Sequence, residues 1–310
     1  MTAPLRIGTR GSPLALWQAN WVKSALEKKW PGLQVELVQI KTTGDKILNV
    51  PLSEVGGKGL FTKEIDEALL GSRVDLAVHS MKDIPFQLPH GIEFGAIPER
   101  EDPRDALVSN GRALDDLPPA ARIGTSSLRR QVQIRHRLTS ARITTLRGNV
   151  DTRLRKLAAG DFDAVVLALA GLKRLGHESV VTQILDESFM LPAVGQGALG
   201  IVCRTGDAKT YEQLAVLDHS QTRVTIAAER GLLAALEGSC KVPVAGHARL
   251  VDGQITLKGM IANLSGHMVN GEIAGDPSKA RELGLALGKD LLDRGGRAIL
   301  AELNQNGTPG

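Results

Sequence analysis

"ARIGTSSLRRQVQIRHRL", residues 121–138, is followed almost at once by "ARITTLRGNVDTRLRKLAAG", residues 141–160. Each stretch opens on a short strand, turns through small polar residues and runs on as a helix. "FDAVVLALAGLKRLG", residues 162–176, repeats the plan with a fully apolar strand. Short strands alternating with helices predict a mainly parallel sheet covered on both faces.

The same rhythm runs through the first hundred residues. "LRIGTR" (5–10), "LQVELVQI" (33–40) and "VDLAVHS" (74–80) are strands. "GSPLALWQANWVKSALEKKW" (11–30) is a helix with Ser12 at the N-cap and Pro13 at the first helical position. "KGLFTKEIDEALL" (58–70) has helical spacing and is closed by Gly71. The charged segment "EREDPRDAL" (99–107) breaks the rhythm before the second set begins. "FMLPAVGQGALGIVCR" (189–204) then returns through Pro192 and three glycines to another apolar strand. Two sets with a late return strand predict an α/β protein of two hinged lobes around a cleft. The first lobe is residues 1–98 with a return segment 193–216, and the second is 102–191.

A third region, 220–310, reads as a small C-terminal α+β domain. It begins with the helical "TRVTIAAERGLLAALEG" (222–238). "HARLVDGQITLKGMIAN" (247–263) alternates apolar and polar residues around Asp252-Gly253, a hairpin pair, and Asn270-Gly271 marks a second hairpin. "SKARELGLALGKDLLDRGGRAILAEL" (278–303) is one amphipathic helix.

Bulk properties narrow the class. The 310 residues are 42% hydrophobic and 23% charged, ordinary for a soluble protein. No apolar run approaches the roughly 18 residues of a membrane span. The opening "MTAPLRIGTR" lacks the apolar core of a signal peptide, and two distant cysteines form no disulfide framework. The expected location is the cytoplasm. Net charge is +4 and pI about 9.1. With only 3% aromatic residues, a base-stacking surface for nucleic acid is not expected.

Open α/β sheets bind ligands beyond the C-terminal ends of their strands. The first strand delivers Arg10 and Ser12 there, and the "DLAVHS" strand delivers Ser80, Lys82 and Asp83. "ARIG" delivers Thr125, Ser126 and Ser127, then Arg129 and Arg130; "RITTL" delivers Arg147, with Arg153 on the next helix. Cations beside helix starts oppose the helix dipole, so their repetition asks for an anion. Six of them imply a ligand with several negative groups, and arginine pairs with carboxylates bidentately. Asp83, an acid among these cations, is either a salt-bridge or capping partner or a group that manages protons and developing positive charge.

Other motifs carry less. "GQGALG" (195–200) has the dinucleotide-loop spacing but leads into a strand rather than a helix. Lys58 lies in a glycine-rich loop that lacks the phosphate-loop pattern. No histidine spacing fits a metal. His79 is expected as a hydrogen-bonded core residue, Cys203 as buried core, and Trp17, Trp21 and Trp30 as packing residues. Cys240, in "LEGSCKVPVAG" (236–246), is by itself either a packed small residue or a reactive thiol.

Eight segments, taken together, resemble the porphobilinogen deaminase (hydroxymethylbilane synthase) family. They are "RIGTRGSPLALWQA", "VGGKGLFTKE", "DLAVHSMKDIP", "EREDPRDAL", "GTSSLRRQ", "LRGNVDTRL", "LPAVGQGALGI" and "LEGSCKVP", in the family's order from residue 5 to about 300. The resemblance implies two lobes like periplasmic binding proteins plus a third domain. It implies a monomeric transferase of tetrapyrrole biosynthesis that deaminates four porphobilinogen molecules and joins them head to tail, releasing ammonia. It implies a dipyrromethane cofactor attached by a thioether to Cys240. It makes Asp83 the catalytic carboxylate and gives the cofactor's carboxylates to Ser80, Lys82, Thr125, Ser127, Arg129 and Arg130. Arg10, Ser12, Arg147 and Arg153 match substrate-binding and catalytic positions, and no metal, membrane or nucleic acid is implied. The chain departs from common family residues at Glu54, Ser239, Ala245 and Thr225.

Overall fold

The computed structural model describes residues 3–46, 59–236 and 242–305. In chain order the first elements are β1 (Leu5–Thr9), α1 (Pro13–Lys29), β2 (Val35–Gln39), α2 (Thr43–Lys46), α3 (Lys63–Leu70), β3 (Leu76–Ser80) and β4 (Ile92–Ala96). Then come β5 (Asp105–Val108), β6 (Arg122–Gly124), α4 (Leu128–Arg137), β7 (Arg142–Thr144), α5 (Val150–Ala158), β8 (Ala164–Ala168), α6 (Leu169–Arg174) and β9 (Gln183–Ile184). The last are β10 (Leu199–Arg204), α7 (Ala208–Ala215), α8 (Ser220–Ala235), β11 (Val244–Val251), β12 (Gln254–Ala262), β13 (Met268–Gly275), α9 (Ala280–Leu291) and α10 (Arg297–Gln305). The described residues up to 101 join 197–223 in one compact unit, and 102–196 join 224–305 in another.

The first unit holds a five-stranded sheet in the order β2-β1-β3-β10-β4. Strand alternation divides its core. Leu76 and Val78 of β3 and Ile201 and Cys203 of β10 pack with Ile7 against Ala19, Val22 and Leu26 of α1. Ala77 and Val202 face the other way, onto Ile65, Ala68 and Leu69 of α3. Each fully buried large aliphatic side chain contributes roughly 1.5–3 kcal/mol. Ser12 caps α1, accepting from the Ala15 N–H at 3.3 Å, with Pro13 in the first turn. The sequence places all three tryptophans in packing roles, but Trp17 and Trp21 are 37% and 40% exposed. Gln18 and the small Ala15 and Ala19 share the buried face of α1 with Val22 and Leu26. Trp30 donates from Nε1 to the Gln213 carbonyl at 3.1 Å.

The second unit contains a five-stranded sheet, β7-β6-β8-β5-β9. Leu107, Ile123 and Val166 pack onto Ile134 of α4. Ala106, Val165 and Leu167 pack onto Leu157 of α5 and Leu172 of α6. Both sheets are mixed rather than mainly parallel. β10 runs antiparallel to β3 and β4, and β5 antiparallel to β8 and β9. The reversed β5 lies inside "EREDPRDAL", where the dense charge and Pro103 hide a four-residue buried strand.

The same unit carries the three-stranded antiparallel sheet β11-β12-β13. Asp252 (φ 50°) and Gly253 (φ 76°) make the first hairpin as the sequence implies. Asn270-Gly271 makes no turn: both residues lie inside β13, opposite Met260 and Gly259. Gly271 is there for packing, because a Cβ would come within 2.9 Å of Leu287 and 2.6 Å of Arg294. Gly246, Gly259 and Gly271 form a row across the sheet, and Leu232 of α8 and Leu287 of α9 rest on it. The long C-terminal helix read from sequence is broken at Leu292–Gly296, where Gly295 takes φ 127°.

Candidate active site

In the first unit, β1 and β3 are parallel neighbours, so the residues after both emerge at one sheet end. Arg10 donates to Asp45 from Nε (3.1 Å) and Nη2 (2.5 Å). Its guanidinium lies 4.1 Å from the centroid of the Phe61 ring. Burial works to raise the Asp45 carboxyl, but the bonds and charge of Arg10 and the bonds from Thr42 outweigh it and hold the value below the ordinary one. Asp45 carries no sequence signal beyond its place in "KTTGDK" and is missed without the fold.

Ser80 ends β3, and residues Met81–Asp83 form one 3₁₀ turn. Met81 and Ile84 are buried and anchor that turn, which leaves Lys82 and Asp83 exposed between them. Gly200 on β10 makes the anchoring possible, since a Cβ there would meet Ile84 at 2.5 Å and Met81 at 3.2 Å. Among the described residues Asp83 forms no ion pair. His79, one residue before Ser80, is buried as expected, but its Nε2 has no hydrogen-bond partner among the described residues. Burial, with the Arg10 charge added, pushes its pKa down to about 4, so it is neutral at physiological pH.

In the second unit, β6 and β7 are parallel and deliver Thr125–Ser127 and Arg147 to one sheet end. The buried Thr125 accepts from the Ser127 N–H at 3.2 Å. Ser127 sits at the N-cap of α4, yet its side chain makes no capping bond. Arg129 and Arg130 lie in the first turn of α4 and are both 5% exposed. Arg129 donates to Asp105 Oδ2 and to the Leu191 carbonyl, each at 2.7 Å. Arg130 donates to Asp105 Oδ1 from Nε and Nη2 at 3.1 and 2.7 Å, and to the Val166 carbonyl at 2.9 Å. Burial opposes ionisation of Asp105, but the two guanidiniums overcome it and its pKa falls well below the carboxylate range. Sequence reading misses Asp105 because its segment looks like a solvated linker.

Arg153 donates to the Gly148 carbonyl at 2.9 Å from a helix capped by Asn149. Burial, with the charges of Arg130 and Arg147 added, lowers its pKa to about 10. Arg130 and Arg147 thus both act on the Arg153 charge. The buried Arg129 Nε has no hydrogen-bond partner among the described residues. Clustered cations, an uncapped helix start and an orphaned guanidinium N–H suit a ligand bearing carboxylates. Cys240, Lys58, Glu54 and Ser239 lie outside the described residues. Of the other departures, Ala245 is fully buried against Val132, Leu191 and Met260, and Thr225 is buried on α8.

"GQGALG" is a turn into β10, with Gly195 at φ 74° and Gly197 at φ 88°, and opens no helix. Burial raises the Cys203 thiol to about 11, consistent with inert core.

Each unit is an α/β fold that gathers cations and hydroxyl groups at one end of its own five-stranded sheet. The chain belongs to the porphobilinogen deaminase family. Residues 5–212 match that family's "dipyromethane cofactor binding domain" and 223–293 its C-terminal domain. Porphobilinogen deaminase of Syntrophobacter fumaroxidans is 56% identical over 301 residues, covering 96% of this chain and 97% of that protein. That of Pelobacter propionicus is 53% identical, covering 97% of each. Among solved structures, the periplasmic aliphatic sulphonate binding protein SsuA from Escherichia coli is similar at TM-score 0.41 and 14% identity, over 78% of this chain and 73% of that one.

Proposed function

We propose that this protein is a transferase that deaminates four porphobilinogen molecules and joins them head to tail into hydroxymethylbilane on a covalently held dipyrromethane primer. The observation that carries the reading is the cation cluster of the second unit: buried Arg129 and Arg130 around Asp105, with Arg130 and Arg147 both acting on the charge of Arg153. Every pyrrole of substrate and product bears two carboxylates, so a site for this chain needs such a cluster.

Cys240 carries the primer through a thioether. When bound, the primer supplies the nucleophilic pyrrole carbon to which substrate is added. Ser80, Lys82, Thr125, Ser127, Arg129 and Arg130 hold its carboxylates. Ser127 and the N-terminal N–H groups of α4 offer donors, and Arg129 Nε offers another. Arg10, Ser12, Arg147 and Arg153 bind and orient incoming porphobilinogen. Asp83, held exposed on its anchored turn, faces positive charge that develops as ammonia leaves, and it accepts and returns pyrrole N–H protons. Tethering turns each addition into an intramolecular step. The enzyme acts as a monomer in the cytoplasm with a small-molecule substrate and neither membrane nor nucleic acid as partner. No helix among the described residues is long and apolar enough to cross a membrane.

Intact-protein mass spectrometry tests the reading. Active enzyme is expected to exceed its sequence mass by two pyrrole units; the bare polypeptide mass in active enzyme refutes the attachment.

A further inference from the structure

Asp105 is fully buried at the start of β5 and accepts from three side chains. Oδ2 takes the Arg129 Nη2 donor. Oδ1 takes Nε and Nη2 of Arg130 and, at 2.9 Å, Nε2 of Gln196. Four N–H donors thus converge on one carboxylate, three on Oδ1 and one on Oδ2. Gln196 is itself anchored through the same amide nitrogen to the Pro103 carbonyl at 2.7 Å. Its neighbour Gly195 donates at 2.7 Å to Glu229, a fully buried residue of α8.

Two guanidiniums packed side by side out of water repel strongly, and one carboxylate between them leaves a net charge of +1. The arrangement also selects which donors remain. Asp105 and the carbonyls of Leu191 and Val166 occupy the Nη groups of Arg129 and all three nitrogens of Arg130, while Arg129 Nε has no partner among the described residues. We infer that Asp105, steadied by Gln196, is a positioning residue that fixes Arg129 and Arg130 and sets this cluster to receive a single carboxylate. This rests on the reading that the two arginines hold the primer's carboxylates.

The test compares wild type with Asp105→Asn, Asp105→Glu and Gln196→Met, following primer occupancy by intact mass, kcat and KM separately, and stability by denaturant unfolding. Asp105→Glu keeps the charge and moves the carboxylate by one methylene. It is expected to fold and to lose at least tenfold in kcat or half its occupancy. Asp105→Asn is expected to lose occupancy and stability together. Gln196→Met leaves every charge in place and is expected to lower kcat about threefold with little change in unfolding midpoint. Should neither Asp105 variant fold, Gln196→Met alone decides by the same measure. Variants that are less stable but keep wild-type kcat and occupancy in the folded fraction make Asp105 merely structural and overturn the inference. A wild type without primer overturns the reading beneath it, which is a separate result.

Discussion

Arg10 donates to both carboxylate oxygens of Asp45 while its guanidinium lies over Phe61, so both faces of its freedom are removed before any ligand arrives. A cation fixed in this way spends little conformational entropy on binding. Asp45→Asn keeps the shape and weakens the hold. The expected outcome is a fall of about tenfold in kcat/KM, mostly through KM. Steady-state kinetics check it; tighter substrate binding in the variant counts against pre-positioning.

Asp83 stands exposed on a turn held by Met81 and Ile84, so the fold does not depend on its charge. Asp83→Asn is expected to lower turnover by about 10²-fold or more while leaving the thermal midpoint unchanged. Turnover and melting curves on one preparation separate the two effects.

Cys240→Ser removes the thiol that carries the primer. The variant is expected at bare polypeptide mass, with turnover reduced to background. Full activity in it contradicts covalent tethering.

His79 is buried and neutral, with its pKa pushed down to about 4 by burial and the nearby Arg10. Between pH 6.5 and 4 the unfolded chain binds a proton at this position and the folded protein does not. Stability is therefore lost as pH falls through that window, by about 3 kcal/mol at most. Asp66, raised to about 6 chiefly by burial, gives the opposite slope over part of the range. The comparison of wild type with His79→Leu isolates the histidine. Because Nε2 has no partner, the variant is expected near wild-type stability at pH 7 and less sensitive to acid.

Gly284 on α9 lets that helix approach α8. A Cβ there would run into the Ala228 carbonyl oxygen and come within 2.7 Å of the Leu232 nitrogen. Helix propensity alone favours Gly284→Ala by about 1 kcal/mol. The backbone clash is expected to reverse the sign, giving net destabilisation of about 2 kcal/mol or more in urea unfolding.

Much of this was legible in the chain because local pattern and tertiary role agree. The strand-turn-helix units at 121–138 and 141–160, the Ser12 cap and the Asp252-Gly253 turn need no distant partner to be recognised. What escaped depends on neighbours far along the chain. Asn270-Gly271 has the local chemistry of a turn, yet α9 needs its glycine as a flat seat. Asp105 looks solvated until Arg129 and Arg130 fold over it. Trp17 and Trp21 look like core by type, but a face of small residues takes that place. The strand-end cations were found because charge at helix starts is unusual; that two of them are buried around an acid was not visible.

β10 lies between β3 and β4 in the first sheet, although the whole of the second sheet is encoded before it. During synthesis, β5 to β9 leave the ribosome as an unbroken set and are able to pair. β1, β2 and β3 pair with one another without β10, but β3 and β4 lack the partner that joins them until it is made. The first hundred residues are thus expected to become protease-resistant after the second five-stranded sheet does, and a nascent chain stopped before residue 199 would present an open sheet edge to chaperones.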